Sequence, residues 1–301
     1  MMRRGVTAAP CESCVRDGSS PERRPPTVAA RLAASSTRRQ NPAVTLPRPV
    51  SGAAHLARFF LAEPPRDGRA RLEPDEEHHA RAVLRLEPGE RFFGLDGQGG
   101  AWLCALRSSK KGALEVEVVA EQGRDPRSGG PGSPWPHLEL ACSLPRGQRC
   151  EELGARAVPL GLSRLTPLLC THSPPHARGF AHPRFERLAR AACKQCERTW
   201  LPELAPAASP AEWLAQREPA ALLLLSPQAG RALAPRAAEL RRAGQTRLAL
   251  IVGPEAGFDA AEEAALLAAG ADAVALAPSI LRIEHAAEAA LAVTLHAWWS
   301  A

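Results

Sequence analysis

Apolar positions along this chain change their spacing at two points. Residues 1–52 carry Pro, Ser and Arg without any apolar period, which predicts disorder. From Arg58 onward short apolar runs alternate with turns. RFFLAEPP, RARL and the stretch HHARAVLRLEPGERFFGLDGQGGAWLCALRSSKKGALEVEVVAEQ read as short strands. Within it GQGG marks a hairpin turn, and LEVEVV alternates as a half-buried strand does. A small β-rich domain over 53–120 is expected. Residues 121–136, containing GRDPRSGGPGSPWP, read as a linker by composition. Over 137–301 the pattern becomes βα alternation. Strands are expected at HLELACSL, RLTPLLC, ALLLLSP, LALIVGPE and AVALAP. Helices are expected at CEELGARAVPLG, PRFERLARAACKQCERTW, AEWLAQ, ALAPRAAELRRAG, AAEEAALLAAG and HAAEAALAVTLHAWW. Such alternation predicts an α/β fold, a parallel sheet with helices on both faces.

Charge changes this picture through its location. Residues 1–52 hold nine Arg and three acidic residues, the whole of the formal +6; residues 53–301 hold 29 basic and 29 acidic. The high pI belongs to the tail, so any nucleic-acid reading must rest on local patches. The tail lacks the apolar core of a secretory signal, and its Arg-rich, acid-poor texture fits a disordered extension, an early start codon or a transit-like segment. No apolar run reaches the roughly 18 residues of a membrane span. Two CxxC pairs, Cys11/Cys14 and Cys193/Cys196, could together make a four-thiolate zinc site. Cys196 falls on the apolar face of a predicted helix, so free thiols in a reducing cytosol are the expectation.

Candidate chemistry gathers where strands end. LLLLSP (222–227), LIVGPEAG (250–257) and ALAPSILR (275–282) share similar punctuation, and ligands of open α/β sheets bind outside the carboxyl ends of strands. Gly253 and Gly257 permit close backbone approach. Neither GxGxxG nor GxxxxGK[ST] occurs, so a phosphate loop is not indicated. The loop could equally be a tight βα turn with Asp259 as helix N-cap. Arg282 and Glu284 stand after the third loop, either as site residues or as an ion pair at a helix start. On the helix at 183–200, Arg184, Arg187, Arg190, Lys194 and Arg198 share one face, opposite Phe185, Leu188, Ala192 and Cys196. That face is either a phosphate contact or a solvated surface. His78, His79, Arg81 and Arg85 cluster without a further ligand at metal spacing.

Several segments in fixed order resemble the RsmE family of ribosomal RNA methyltransferases over about 56–296. RFF matches the family's opening, and HHARAVLRLEPGERFFGLDGQGG its H-x-x-x-V-L-R with a later D-G. Arg146–Gly147 and Arg149 stand at its K-G-(D)-R, Gly161–Leu162–Ser163–Arg164 at L-G-V-S-R, and Gln195 and Arg198 at E-Q-S-x-R. GPEAGF matches G-P-E-G-G-F, and LAPSILRIEHA matches L-G-x-R-I-L-R-x-E-T-A.

The resemblance implies a SPOUT-type trefoil-knotted parallel-sheet domain preceded by a PUA-like β-barrel that helps hold RNA. It implies methylation of N3 of a uridine in 16S rRNA with S-adenosylmethionine, by a cytoplasmic homodimer whose last helix is an interface element. The cofactor residues would be Leu225, Ser226, Gly253, Pro254, Glu255, Gly257, Leu276, Ala277, Ile280 and Leu281. The RNA-binding residues would be Arg58, Arg85, Arg146, Arg149, Arg187 and Arg198. Arg282 would stabilise the deprotonated base, with Glu284 orienting it or relaying a proton. Departures from the family pattern are Ala256 for a glycine, Ser279 for an arginine, Ile283, His285 for a threonine, Arg146 for a lysine and Pro159 in an expected helix. They leave open a catalytically weak RNA-binding relative or a methyltransferase with another RNA target.

Overall fold

The computed structural model describes residues 56–108, 114–130, 133–173 and 182–301. Residues 1–55, with Cys11 and Cys14, lie outside the described residues. The first sheet contains β1 (Arg58–Phe60), β2 (Arg69–Ala70), β3 (Arg91–Leu95), β4 (Gly100–Ser108) and β5 (Glu115–Arg124), in the order β1-β3-β4-β5-β2. Only β1 and β3 run parallel. An isolated bridge between Leu61 and Leu72 brings the two outer strands together, so the sheet curls on itself. Alternation along β4 turns Trp102, Cys104 and Leu106 inward, where they share a core with Phe59 and Phe92.

Two expectations fail in this region. HHARAV is helical, not a strand: α1 (Pro74–His78) passes directly into one π-helical turn, His79–Val83. Pro74 suits the first helical turn, and Asp75, Glu76 and Glu77 sit where the helix dipole favours negative charge. The expected linker also starts too early, because β5 continues to Arg124 against β4. Its polar outer residues hide a strand whose backbone is paired on the β4 side.

The second sheet contains β6 (His137–Cys142), β7 (Leu162–Pro167), β8 (Glu203–Leu204), β9 (Ala221–Leu225), β10 (Arg247–Val252) and β11 (Asp272–Val274). Its order is β11-β9-β10-β6-β7-β8, and every pairing is parallel. All six residues of β6 are buried, as a strand covered on both faces must be. Among the described residues six helices cover the sheet: α2 (Gln148–Ala157), α3 (His182–Cys196), α4 (Pro210–Gln216), α5 (Leu233–Arg242), α6 (Ala260–Ala268) and α7 (Ile283–Ser300). On one face Leu138, Leu140, Leu248 and Leu250 pack with Leu153, Phe185, Leu240 and Leu291 from α2, α3, α5 and α7. On the other Ala141, Ala249 and Ile251 pack with Trp213 of α4 and Leu266 of α6. Phe60 and Leu95 of the first sheet join the former cluster, so the two sheets share a core. Helix α2 stops at Ala157 with Val158 as its C-cap. Pro159 therefore lies past the helix and carries no interior cost.

Candidate functional site

Strand register brings several carboxyl ends level. Cys142 pairs with Val252, Ile251 with Leu224, and Leu225 with Val274. The following loops leave the sheet at one height. Chain order also switches there: β6 leads out to β7 and β8, then the chain returns to β9, β10 and β11 on the other side. A switch of this kind opens a crevice beyond the strand ends. A cleft of about 320 Å³ lies to one side of that switch, beyond the carboxyl ends of β9, β10 and β11, a size within the range of small-molecule sites. Leu225, Ser226, Gly253, Pro254, Glu255, Gly257, Leu276, Ala277, Ile280 and Leu281 all line this cleft. So do Gln228, Phe258 and Glu263, which the sequence reading missed. Glu263 reads in sequence as an ordinary acidic residue in a first helical turn.

Local chemistry shapes the central loop. A Cβ on Gly253 would come 2.9 Å from the Phe258 ring, so glycine lets that ring fold across the loop. Gly257 has φ of 80° and donates its N–H to the Pro254 carbonyl at 2.8 Å. Ala256, which stands where the family has glycine, is not among the residues with positive φ, so its Cβ brings no backbone strain. Asp259 does cap α6, accepting from Ala261 N at 2.9 Å and Glu262 N at 2.8 Å. Backbone donation from Glu262, with the Thr171 hydroxyl at 2.7 Å, holds the Asp259 carboxyl below its usual range. The turn and pocket readings thus describe one loop: its carboxyl end caps a helix while Gly253, Pro254 and Glu255 face the cleft.

The cleft's composition selects its ligand chemistry. Leu224, Leu225, Val252, Leu276 and Leu281 make apolar walls, and the charged lining residues are Glu255 and Glu263. Among the described residues no Lys, Arg or His lines it. A phosphate there would meet two carboxylates and no cation. A flat heterocycle joined to a sulfonium would meet apolar walls and negative charge, so the donor set fits S-adenosylmethionine.

The expected Arg282–Glu284 partnership does not form. Residues two apart at a helix start face different sides. Arg282, the N-cap of α7, is exposed, whereas Glu284 is buried. Glu284 instead accepts from Arg149 Nη1 at 3.4 Å, and the same nitrogen lies 3.6 Å from Glu255 Oε1. Glu284 Oε2 is buried without a hydrogen-bond partner among the described residues.

The basic residues divide into spent and available. Arg198 donates through Nη1 to the carbonyls of Val158 and Leu162 at 2.6 and 2.8 Å. It closes the turn after α2, and that nitrogen is occupied. Arg58 pairs with Glu197 at 2.7 Å and lies over the Phe93 ring, only 13% exposed. Most of the basic face of α3 is likewise spent. Arg190 binds Glu73 at 2.9 Å and Lys194 binds Glu76 at 2.7 Å, both carboxylates belonging to the first sheet's lobe, while Arg184 binds Glu151. Arg85, Arg146 and Arg187 are exposed. Cys193 is buried, its Sγ 3.5 Å from the Trp200 carbonyl, and burial pushes its thiol up to about 12. Among the described residues no cluster of His, Cys, Asp or Glu could hold a metal ion.

Known proteins show the same two-part pattern. A family profile described as an RNA methyltransferase domain matches residues 133–295, and one described as an RNA methyltransferase PUA domain matches 72–119. The chain is 32% identical over 227 residues to ribosomal RNA small subunit methyltransferase E of Synechocystis, covering 71% of this chain and 69% of that protein. It is 30% identical over 246 residues to the protein of that name from Mycobacterium bovis, covering 77% and 88%. A solved ribosomal RNA small subunit methyltransferase E from Neisseria gonorrhoeae, bound to S-adenosylmethionine, superposes with a TM-score of 0.68 at 27% identity, covering 79% of this chain and 96% of that one. A Legionella pneumophila methyltransferase bound to the same cofactor shares the fold, with a TM-score of 0.68 at 24% identity and coverages of 80% and 98%.

Proposed function

Because the chain belongs to the ribosomal RNA small subunit methyltransferase E family, we propose that it methylates N3 of a uridine in 16S rRNA, using S-adenosylmethionine. The observation that carries this reading is the cleft, in which three proline-bearing loops meet around the carboxylates of Glu255 and Glu263. S-adenosylmethionine supplies a methyl group whose bond to sulfur breaks with its electron pair returning to sulfur. The uridine N3 supplies the new bonding pair and loses its proton to solvent. Leu225, Ser226, Gly253, Pro254, Glu255, Gly257, Leu276, Ala277, Ile280 and Leu281 would hold the cofactor, largely through apolar contact and loop backbone. Their alignment of the methyl carbon with N3 would supply much of the rate.

The exposed Arg85, Arg146, Arg187 and Arg282 are suited to RNA phosphates. In this reading residues 53–120 help grip the RNA and residues 137–301 carry out transfer, with the backbone threaded as a trefoil knot. The enzyme would act in the cytoplasm on the small subunit. It would pair as a homodimer through the uncovered side of α7, where Trp299 is 40% exposed. Among the described residues no helix is long and apolar enough to cross a membrane.

Mass mapping of 16S rRNA tests the target. Small subunits from a strain lacking the gene should gain one methyl on a uridine when given the protein and S-adenosylmethionine. Retention of that methyl in the deletion strain would overturn the proposal. Transfer to a different RNA would instead retain the chemistry and change the substrate.

A further inference from the structure

Arg149 occupies a place that a simple phosphate anchor would not. Strand β6 ends level with β10, so the loop after Cys142 rises beside the GPEAGF loop. Gly147, with φ of 56°, turns this chain into α2 and puts Arg149 in its first turn. The guanidinium then stands between a carboxylate lining the cleft and one buried behind it. Its Nη1 lies 3.6 Å from Glu255 and 3.4 Å from Glu284. The two anchors differ: the Glu255 side chain is 65% exposed, the Glu284 side chain 7%. Glu284 also sits in the first turn of α7, where the helix dipole favours its charge.

Two nearby carboxylates make Arg149 a poor phosphate ligand, since they repel the same anion it would attract. They suit it instead to a neutral, planar partner whose charge appears only during reaction. Uracil N3 lies between two carbonyl groups, and loss of its proton spreads negative charge onto both oxygens. The guanidinium fork can aim two donors at one of those oxygens and leave N3 free to bond the methyl carbon. Exposed Glu255 is the partner that the base can replace, while buried Glu284 keeps the fork aimed.

We propose that Arg149 is the cation that meets the target base and stabilises its deprotonated form, with Glu284 as its positioning residue. This inference rests on the uridine-N3 reading above. Arg282 would then be left to the RNA backbone.

The test compares Arg149→Ala, Arg149→Lys and Glu284→Gln with the wild type on unmethylated small subunits. For Arg149→Ala, kcat should fall about 10²- to 10³-fold, the usual loss on removing one preorganised donor. Its pH–rate profile should shift to higher pH. Arg149→Lys should recover only part of the rate, because an ammonium lacks the fork. Glu284→Gln should lower kcat less and shift the profile in the same direction. Calorimetric binding of S-adenosylmethionine and the salt dependence of RNA binding should stay unchanged in all three. Unchanged kcat in Arg149→Ala, with raised KM and a salt slope reduced by about one, would make Arg149 a phosphate anchor and overturn the inference alone. Absence of transfer by the wild type would overturn the uridine reading and the inference with it.

Discussion

At the scale of single residues, the decisive features are backbone angles and hydrogen-bond partners. GPEAGF differs from its family pattern at Ala256, yet the left-handed residue is Gly257. A Cβ at Gly257 would meet open space, so its substitution costs backbone strain alone. Gly257→Ala should therefore lower stability by about 1–2 kcal/mol and weaken S-adenosylmethionine binding. Ala256→Gly should change stability by less than about 1 kcal/mol and leave cofactor affinity unaltered. Urea unfolding and calorimetry check both; a tenfold gain in affinity for Ala256→Gly would refute this assignment of strain. Arg198 makes the same point for side chains. Its place on the basic face of the helix expected at 183–200 was legible, but α3 stops at Cys196 and the two carbonyls that occupy Arg198 come from residues some forty positions away.

At the scale of elements, α3 shows what amphipathicity does and does not say. Its basic face exists as the period predicted, but the buried side is Phe185, Ala189 and Cys193, with the expected Leu188, Ala192 and Cys196 only partly buried. The partners of that face are carboxylates of the other lobe, because α1 brings Glu73 and Glu76 against it. Glu76 is 6% exposed, and Lys194 binds both its oxygens, at 2.7 and 2.9 Å. Removing the cation strands a buried charge. Lys194→Ala should cost about 3 kcal/mol in urea unfolding, and adding Glu76→Gln should restore much of it. A single-variant loss below about 0.5 kcal/mol would mean the pair is a solvated surface contact. The helical stretch at HHARAV was not legible for a related reason. Its signal lies in the preceding Pro74 and acidic turn rather than in its own apolar spacing.

At the scale of the whole molecule, burial couples distant charges to folding. His137 begins β6 and is 4% exposed. Burial, reinforced by Arg247 and Arg127, lowers its pKa from 6.5 to about 4. The folded protein therefore binds this proton less readily than the unfolded chain. The associated stability is complete above pH 6.5 and drains away as pH falls towards about 4, a loss on the order of 3 kcal/mol. Urea midpoints compared at the two ends of that window should converge for His137→Asn and diverge for the wild type.

The sequence by itself determined the α/β class and most elements of the second sheet. Apolar spacing reports burial along one strand or helix, so the βα order and the three loop-forming strand ends could be read from local pattern. The ten cofactor-site assignments came from the resemblance those loops carry, and all of them line one cleft. Only the tertiary structure decided which charges are spent and which remain. An arginine looks the same in sequence whether it faces RNA, a carbonyl or a carboxylate. Partners such as Arg149 with Glu284, 135 residues apart, become neighbours only when parallel register brings their loops to one edge of the sheet.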